Sequence, residues 1–398
     1  MSTFIKAERV VSTTLGLLER KSRLANLVWR DAGGDFRGAK NETITVRLPA
    51  YLPARTRALR SGTTRTKDAL FERSIAVTLD TDIYKYLGVT DEQMNLDVEN
   101  FDRQITDPVA RGVVDQIESE IATEISGATY EVTIAYVSGT DDPYEDVVVP
   151  AGIALDNAHV PDEGRVLLVG TELQADLLRS DKFTDASKSG TTETLRKGVI
   201  GDINGFTVVK GGASIAPDAG YAFHSTAYVL SMHIPAVPSS AAWGASKSWN
   251  GFAMRMVRGF EIAEVEEQLA ADVWVGTNVV KDDGYFDSNG IFIPTTEPGE
   301  TLGRSLAPVG EADDETFTLN GHGLVAGDEV EFTALTGGTG LATNTTYHVI
   351  AAGLTASTFR LSATAGGAAV NFTTDVTAST LRERARPLLI RSVKIAVS

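Results

Sequence analysis

The side chains able to do chemistry are few and scattered. His159, His224, His233, His322 and His348 are the chain's imidazoles, and no two stand at the spacing that sets a pair of metal ligands on one helix face or strand. Cysteine is absent, which removes thiolate nucleophiles, cysteine-zinc sites, iron-sulfur clusters and disulfides together. A Gly-x-Ser-x-Gly elbow and a glycine-rich loop closed by Lys-Ser or Lys-Thr are both missing. Gly321-His-Gly323 with Gly327 has the wrong glycine spacing to cradle a phosphate and reads as a turn. Asp141-Asp142 and Asp282-Asp283-Gly284 lack the alternating oxygen ligands of a calcium loop and also predict turns. The sequence therefore supplies no catalytic, cofactor-binding or metal-binding residue, requires no cofactor, and reads as a protein that is not an enzyme.

Charge is the chemistry that remains. The 398 residues carry 36 Lys and Arg against 53 Asp and Glu, a formal net charge of -17, the wrong sign for a chain that grips phosphates over its whole surface. Yet residues 41–79 hold Arg47, Arg55, Arg57, Arg60, Arg65, Lys67 and Arg73 against Glu42, Asp68 and Glu72, a local +4. Few aromatics accompany them to stack bases, and zinc-finger or basic-zipper spacing is absent, so an acidic protein partner fits better than nucleic acid. Such a surface follows in residues 91–124, where ten carboxylates stand against Arg103 and Arg111, a local -8. Arg47, Arg55, Arg57, Arg60, Arg65 and Arg73, with Asp115, Glu118, Glu120 and Glu124, are the candidate residues for contact between charged protein surfaces.

Local patterning predicts the elements that carry these charges. Thr43-Ile-Thr-Val-Arg-Leu48 and Ser74-Ile-Ala-Val-Thr-Leu79 alternate at period two on either side of the basic stretch, as in a long open hairpin. Ile105, Val109, Val113, Ile117, Ile121 and Ile125 recur every four residues. With Asp107-Pro108 in front and Gly127 behind, they predict a long helix with one apolar and one acidic face. The apolar residues between Phe4 and Trp29 predict one or two short helices in an arm. Tyr130 to Val137, Val147 to Val149 and Arg165 to Val169 read as strands, the last feeding a helix that Thr171 and Gln174 would cap. Asn204-Gly205 marks a tight hairpin, and 251–276 reads as further sheet.

The composition changes sharply near Glu311. Residues 311–380 contain fifteen threonines and nine glycines but only one basic residue, Arg360, and have a net charge of -7. Short strand-like runs between glycine-rich turns predict an inserted all-β module, a small sandwich or barrel. Phe317, Leu319, Val330, Phe332, Tyr347, Val349, Phe359 and Leu361 are its expected core. From Pro387 to Val397 alternation resumes, as for a strand returning to the main body.

The serial order of several segments goes further. Leu17-Leu-Glu-Arg20, Leu27-Val-Trp-Arg-Asp31, Gly34-Asp-Phe-Arg37, Asn41-Glu-Thr-Ile-Thr-Val-Arg-Leu-Pro49, Val77-Thr-Leu-Asp80, Asp97-Val-Glu-Asn-Phe101 and Asp107-Pro-Val-Ala110 stand in the first third. They continue through Ala154 to Val166, Leu177 to Phe183 and Gly201 to Phe206. In this order they resemble a tailed-bacteriophage major capsid protein, of the branch that uses a separate scaffolding protein. A related branch begins with a long cleaved scaffolding segment, and here the arm pattern starts almost at Met1.

The resemblance implies an α+β capsid fold with an added module. Its parts would be an N-terminal arm (1–40), an extended loop hairpin (41–80), a peripheral domain with a spine helix (81–130) and an axial domain (131–250). Return strands of the peripheral domain (251–305), an inserted immunoglobulin-like, sandwich-like module (306–382) and a C-terminal strand (383–398) would complete it. It also implies hexamers and pentamers of this chain, closing into an icosahedral virion shell around double-stranded DNA bound without sequence preference. Scaffolding protein and portal would be partners during assembly in the bacterial cytoplasm, with a decoration protein as a further candidate. Some relatives join a loop lysine covalently to a neighbour's asparagine, and Lys67 is the hairpin's only lysine. A cellular nanocompartment shell is the alternative within the same fold, and a hydrolase or adhesin with a β binding module the alternative outside it. No membrane partner is expected: the uncharged run Ala219 to Ser246 contains His233, Pro235 and Pro238 and reads as buried strands and loops.

Overall fold

The computed structural model describes residues 22–31, 43–48, 56–60, 64, 73–90, 105, 107–180, 201–239, 241, 243–249, 251–262, 266–286, 290–294 and 305–398. After a 3-10 turn at Leu24–Asn26 come β1 (Trp29–Asp31), β2 (Thr43–Leu48), β3 (Arg73–Thr78) and β4 (Thr81–Thr90), then helix α1 (Asp107–Gly127) and β5 (Thr133–Tyr136). Helix α2 (Val149–Asn157), β6 (Arg165–Val169) and helix α3 (Thr171–Arg179) follow. Next are β7 (Asp202–Ile203), β8 (Phe206–Lys210), β9 (Ala219–His224), β10 (Tyr228–His233), β11 (Trp243–Trp249), β12 (Phe252–Glu261) and β13 (Glu266–Val279). β14 (Asp282–Phe286) and β15 (Phe292–Pro294) precede β16 (Ser305–Leu306), β17 (Val309–Glu311), β18 (Thr316–Thr318), β19 (Glu329–Gly337) and β20 (Thr346–Ile350). The chain closes with β21 (Thr358–Ser362), β22 (Val376–Glu383), β23 (Arg386–Leu388) and β24 (Ser392–Val397).

α1 lies on a sheet ordered β1-β10-β13-β12-β11, with β4 also paired to β13. Its four-residue recurrence places Val109, Val113, Ile117, Ile121 and Ile125 on one stripe, which packs with Ile83, Val89, Met254, Met256, Leu269, Val273 and Val275. Burying each such side chain contributes about 1.5–3 kcal/mol, so the stripe alone fixes the helix to the sheet. The division expected at residue 250 falls inside this sheet, because β10 and β11 pair with β13 and β12.

A second sheet, ordered β5-β24-β9-β6-β8-β7, is covered on both faces. Every residue of β6 is buried: Val166 and Leu168 face the α1 core, while Leu167 and Val169 face α2 and α3 through Leu155, Leu173 and Leu177. A strand buried on both sides needs the continuous apolar run that Arg165 to Val169 shows. β7 and β8 form the hairpin expected at Asn204-Gly205, whose positive φ values of 47° and 82° suit those two residue types. The C-terminal β24 returns between β5 and β9, so it joins the main body as expected.

Several local expectations fail. Val147-Val148 does not form a strand but belongs to a π-helical turn, Pro143–Val148, which leads into α2 at Val149. Asp142 caps that turn, accepting from the Tyr144 and Glu145 amides. Thr171 does not cap α3; Gly170 occupies the cap position and no side chain caps the helix. Asp282-Asp283-Gly284 is strand, paired to β15 and β23, and not a turn.

The all-β segment forms one seven-stranded sheet, β16-β22-β17-β18-β21-β20-β19, and β19 pairs back onto β22. It is therefore a sheet closed on itself, not two sheets facing each other, and the immunoglobulin-like description gives way to a small barrel. Phe317, Val330, Phe332, Tyr347, Val349, Phe359 and Leu361 fill it as expected, joined by Phe372, Val376 and Leu381. The chain leaves the body at β15 and re-enters at β23, and both strands flank β14. Entry and exit thus lie two strand spacings apart, about 10 Å, the geometry of an insertion.

Candidate inter-subunit surface

Of the two charged segments of the sequence, the basic one is flanked by the paired strands β2 and β3, and the acidic one contains α1 from Asp107 onward. β2 and β3 pair antiparallel from Thr43↔Thr78 to Leu48↔Arg73, which places Arg47 and Arg73 at the end of the ladder where the basic stretch begins. Within that stretch Arg57, Leu59 and Arg60 are exposed, Leu59 almost completely at 96%. Arg55, Arg65 and Lys67 lie outside the described residues.

On α1 the four acidic candidates have different surroundings. Asp115 is exposed, and Glu120 accepts from the Gln116 side chain one turn earlier at 2.8 Å. Glu124 accepts the Thr277 hydroxyl of β13 at 3.2 Å. Glu118 is engaged most heavily: its Oε1 accepts from the Ser22 hydroxyl at 2.6 Å, the Arg23 amide at 2.9 Å and the Ala25 amide at 3.3 Å, and its Oε2 from the Leu24 amide at 2.9 Å. A carboxylate facing the first amides of a short helical turn meets donors that have no partner within the turn. Glu118 thus docks the chain's own N-terminal segment, whose Leu24, Ala25 and Val28 enter the α1 core. Its place beside the apolar stripe, four residues after Val114 and three before Ile121, is the sequence signal for an inward role.

Other polar groups join the two sheets, and sequence reasoning did not single out Tyr130, Tyr228, Arg391 or Ser392 among them. The Tyr130 hydroxyl donates to the Ile125 carbonyl at 2.6 Å and meets the Tyr228 hydroxyl at 2.8 Å, which in turn meets Ser392 at 2.9 Å. Burial raises both phenols, Tyr228 to about 12. Arg391 makes a double hydrogen bond to the buried Asp282 carboxylate and donates to the Thr226 hydroxyl at 2.7 Å. That hydroxyl lies 2.8 Å from Nδ1 of His224, whose Nε2 donates to the Glu163 carbonyl at 2.9 Å. Burial holds His224 below the usual imidazole range, with Arg391 and Arg165 adding to the effect. His322 turns its Nδ1 to the Leu324 amide at 3.0 Å, and Asp328 accepts the Val325 amide at 2.7 Å. With positive φ at Gly321, Gly323 and Gly327, the glycine-rich motif is the expected turn. Among the described residues no three His, Asp or Glu side chains gather as a metal cage, and no helix is long and apolar enough to cross a membrane.

The model of the family described as phage capsid protein matches residues 74–293, which spans β3 to β15 and excludes the barrel. No protein of curated function matches the chain in sequence. Among solved structures, one of Mycobacterium phage Che8 is 20% identical with a TM-score of 0.48, over 65% of this chain and 88% of that one. The capsid of Ralstonia phage GP4 is 10% identical with a TM-score of 0.43, over 64% and 82%. A virus-like particle from Pyrococcus furiosus is 11% identical with a TM-score of 0.40, over 68% and 94%.

Proposed function

Because the chain belongs to the phage capsid protein family and is a structural subunit of a bacteriophage capsid, we propose how it builds one. Copies assemble as hexamers and pentamers into a closed icosahedral shell around double-stranded DNA, guided in the bacterial cytoplasm by a separate scaffolding protein and portal. The role is structural and not catalytic. The family match over residues 74–293 carries this reading.

Contact between subunits is electrostatic at its core in this proposal. Arg47, Arg55, Arg57, Arg60, Arg65 and Arg73 of one hairpin meet Asp115, Glu120 and Glu124 of a neighbour's α1, while Glu118 holds its own chain's N-terminal segment. Exposed pairs contribute about 0–1 kcal/mol each, so the contact depends on their number and on salt. The barrel stands on the outer surface, since its net charge of -7 over residues 311–380 would repel packaged DNA. There it reinforces contacts between neighbouring capsomers. Sedimentation of the chain co-expressed with the scaffolding gene tests the assembly reading: closed particles are expected, and monomers alone would overturn it.

A further inference from the structure

We propose that Gly276 and Asn278 are positioning residues that set the direction in which the β2–β3 hairpin leaves the body. The inference rests on the reading of the hairpin as an assembly element, and its test is made on the unassembled chain. β4 pairs with β13 as far as Thr81↔Val275. One step further the ladder would place Asp80 opposite Gly276, but the chain lifts off the sheet at Leu79-Asp80. Beyond the bend, β3 crosses the face of β13.

The crossing has a fitted seat. Thr277 donates to Glu124 of α1, so Gly276 and Asn278, its neighbours along the strand, lie on the opposite face of the sheet. Gly276 is paired with Ser231, a small, wholly buried residue, and Asn278 with Val229. The two small residues make a notch in an otherwise filled sheet surface. The backbone of Thr78 occupies it: a Cβ at position 276 would overlap the Thr78 carbonyl oxygen and come within 3.3 Å of a Val77 methyl. Asn278 Nδ2 donates to the Ala76 carbonyl at 2.7 Å, two residues back along the same strand. Ile75 and Val77 close the seat in a small core of their own with Val229 and Val280. The Thr43 and Thr78 hydroxyls meet at 3.0 Å and hold the hairpin's two strands together above it.

A seat at the root of a lever controls its far end. Six residues of strand reach roughly 20 Å, so a rotation of about 10° at the root moves the start of the basic stretch by roughly 3 Å, more than the tolerance of a hydrogen bond. Backbone contact at Gly276 leaves no flexible side chain to absorb a change, and the Asn278 bond fixes the rotation about that contact.

The chain lacks cysteine, so spin labels can be placed on Ser74→Cys in β3 and Ser119→Cys on α1, both exposed positions, and their separation measured by pulsed electron resonance. Ser74 stands about 13 Å along the strand from the Thr78 seat, so in the Gly276→Ala chain a rotation of about 10° is expected to shift the mean separation by about 2 Å, with far-UV circular dichroism unchanged. Asn278→Asp keeps the shape of the side chain but removes the donor, and is expected to broaden the distribution. Should Gly276→Ala fail to fold, Asn278→Asp decides alone. Distributions that superimpose on the parent chain in the folded variants would overturn the positioning role. Failure of the parent chain itself to form shells would instead overturn the assembly reading.

Discussion

The carboxylate of Glu118, in the middle of α1, accepts the Ser22 hydroxyl at 2.6 Å across 96 residues of sequence. Around it three consecutive amides, Arg23 to Ala25, turn to the same group. One side chain on the long helix thus fixes where the N-terminal segment meets the body. Glu118→Ala leaves those amides without their acceptor, and an unsatisfied, partly buried donor costs about 1–3 kcal/mol. The expected result is a loss of about 2 kcal/mol or more in urea unfolding and faster trypsin cleavage after Arg23, read by mass spectrometry of a timed digest. An unchanged cleavage rate would remove the docking role.

Stability should fall on both sides of neutral pH. His224 is held neutral in the folded chain by burial, whereas in the unfolded chain it takes up a proton near pH 6.5. Stability is therefore present above that pH and lost as pH falls through it. Tyr228 titrates at about 12 when folded and near 10 when unfolded, so stability is present below pH 10 and lost as pH rises from there toward 12. Urea midpoints measured from pH 5.5 to 11 should trace this dome. His224→Asn should flatten its limb between pH 7 and 5.5, and Tyr228→Phe should shrink its alkaline limb, the buried Tyr130, Tyr136 and Tyr221 phenols keeping the remainder.

How much of this was legible depends on the range of the forces involved. α1 was readable because its four-residue recurrence, its Asp-Pro start and its glycine end all agree locally. β6 was readable because a doubly buried strand must be apolar throughout. Val147-Val148 misled because β-branched residues favour strands; the Asp142 cap and Pro143 start that make them helical stand five and four residues ahead of Val147. Gly170 begins α3 because its Cα faces the carbonyls of Ala216, Pro217 and Ala219, where a Cβ has no room, and that crowding comes from a loop 46 residues away. Barrel and sandwich share the same strand spacing, and only the long-range β19–β22 pairing separates them. Of the acidic candidates, Glu118 shows its inward role in the sequence only by its place beside the apolar stripe; its four donors come from a segment that only the fold brings near.

Reversing the charge of the hairpin should act cooperatively. Any one of Arg55, Arg57 or Arg60 changed to Glu is expected to alter assembly little, because an exposed pair contributes about 0–1 kcal/mol. The triple variant should remain a folded monomer and fail to assemble. Light scattering across a salt series checks this, and normal shells with the parent's salt dependence would speak against the contact.

Replacing residues 311–380 with a short Gly-Ser linker should leave the main body intact, since β15 and β23 remain on either side of β14. Shells are expected to form and to lose heat resistance, measured by differential scanning calorimetry of particles. Failure to form any shell would show that the barrel is part of the assembly core.

Electron micrographs of the purified chain, prepared with and without co-expressed scaffolding protein, test the central claim most directly. Closed shells of one diameter are expected when the scaffold is present. A field of monomers or shapeless aggregates under both conditions would contradict the role of this chain as a self-assembling capsid subunit.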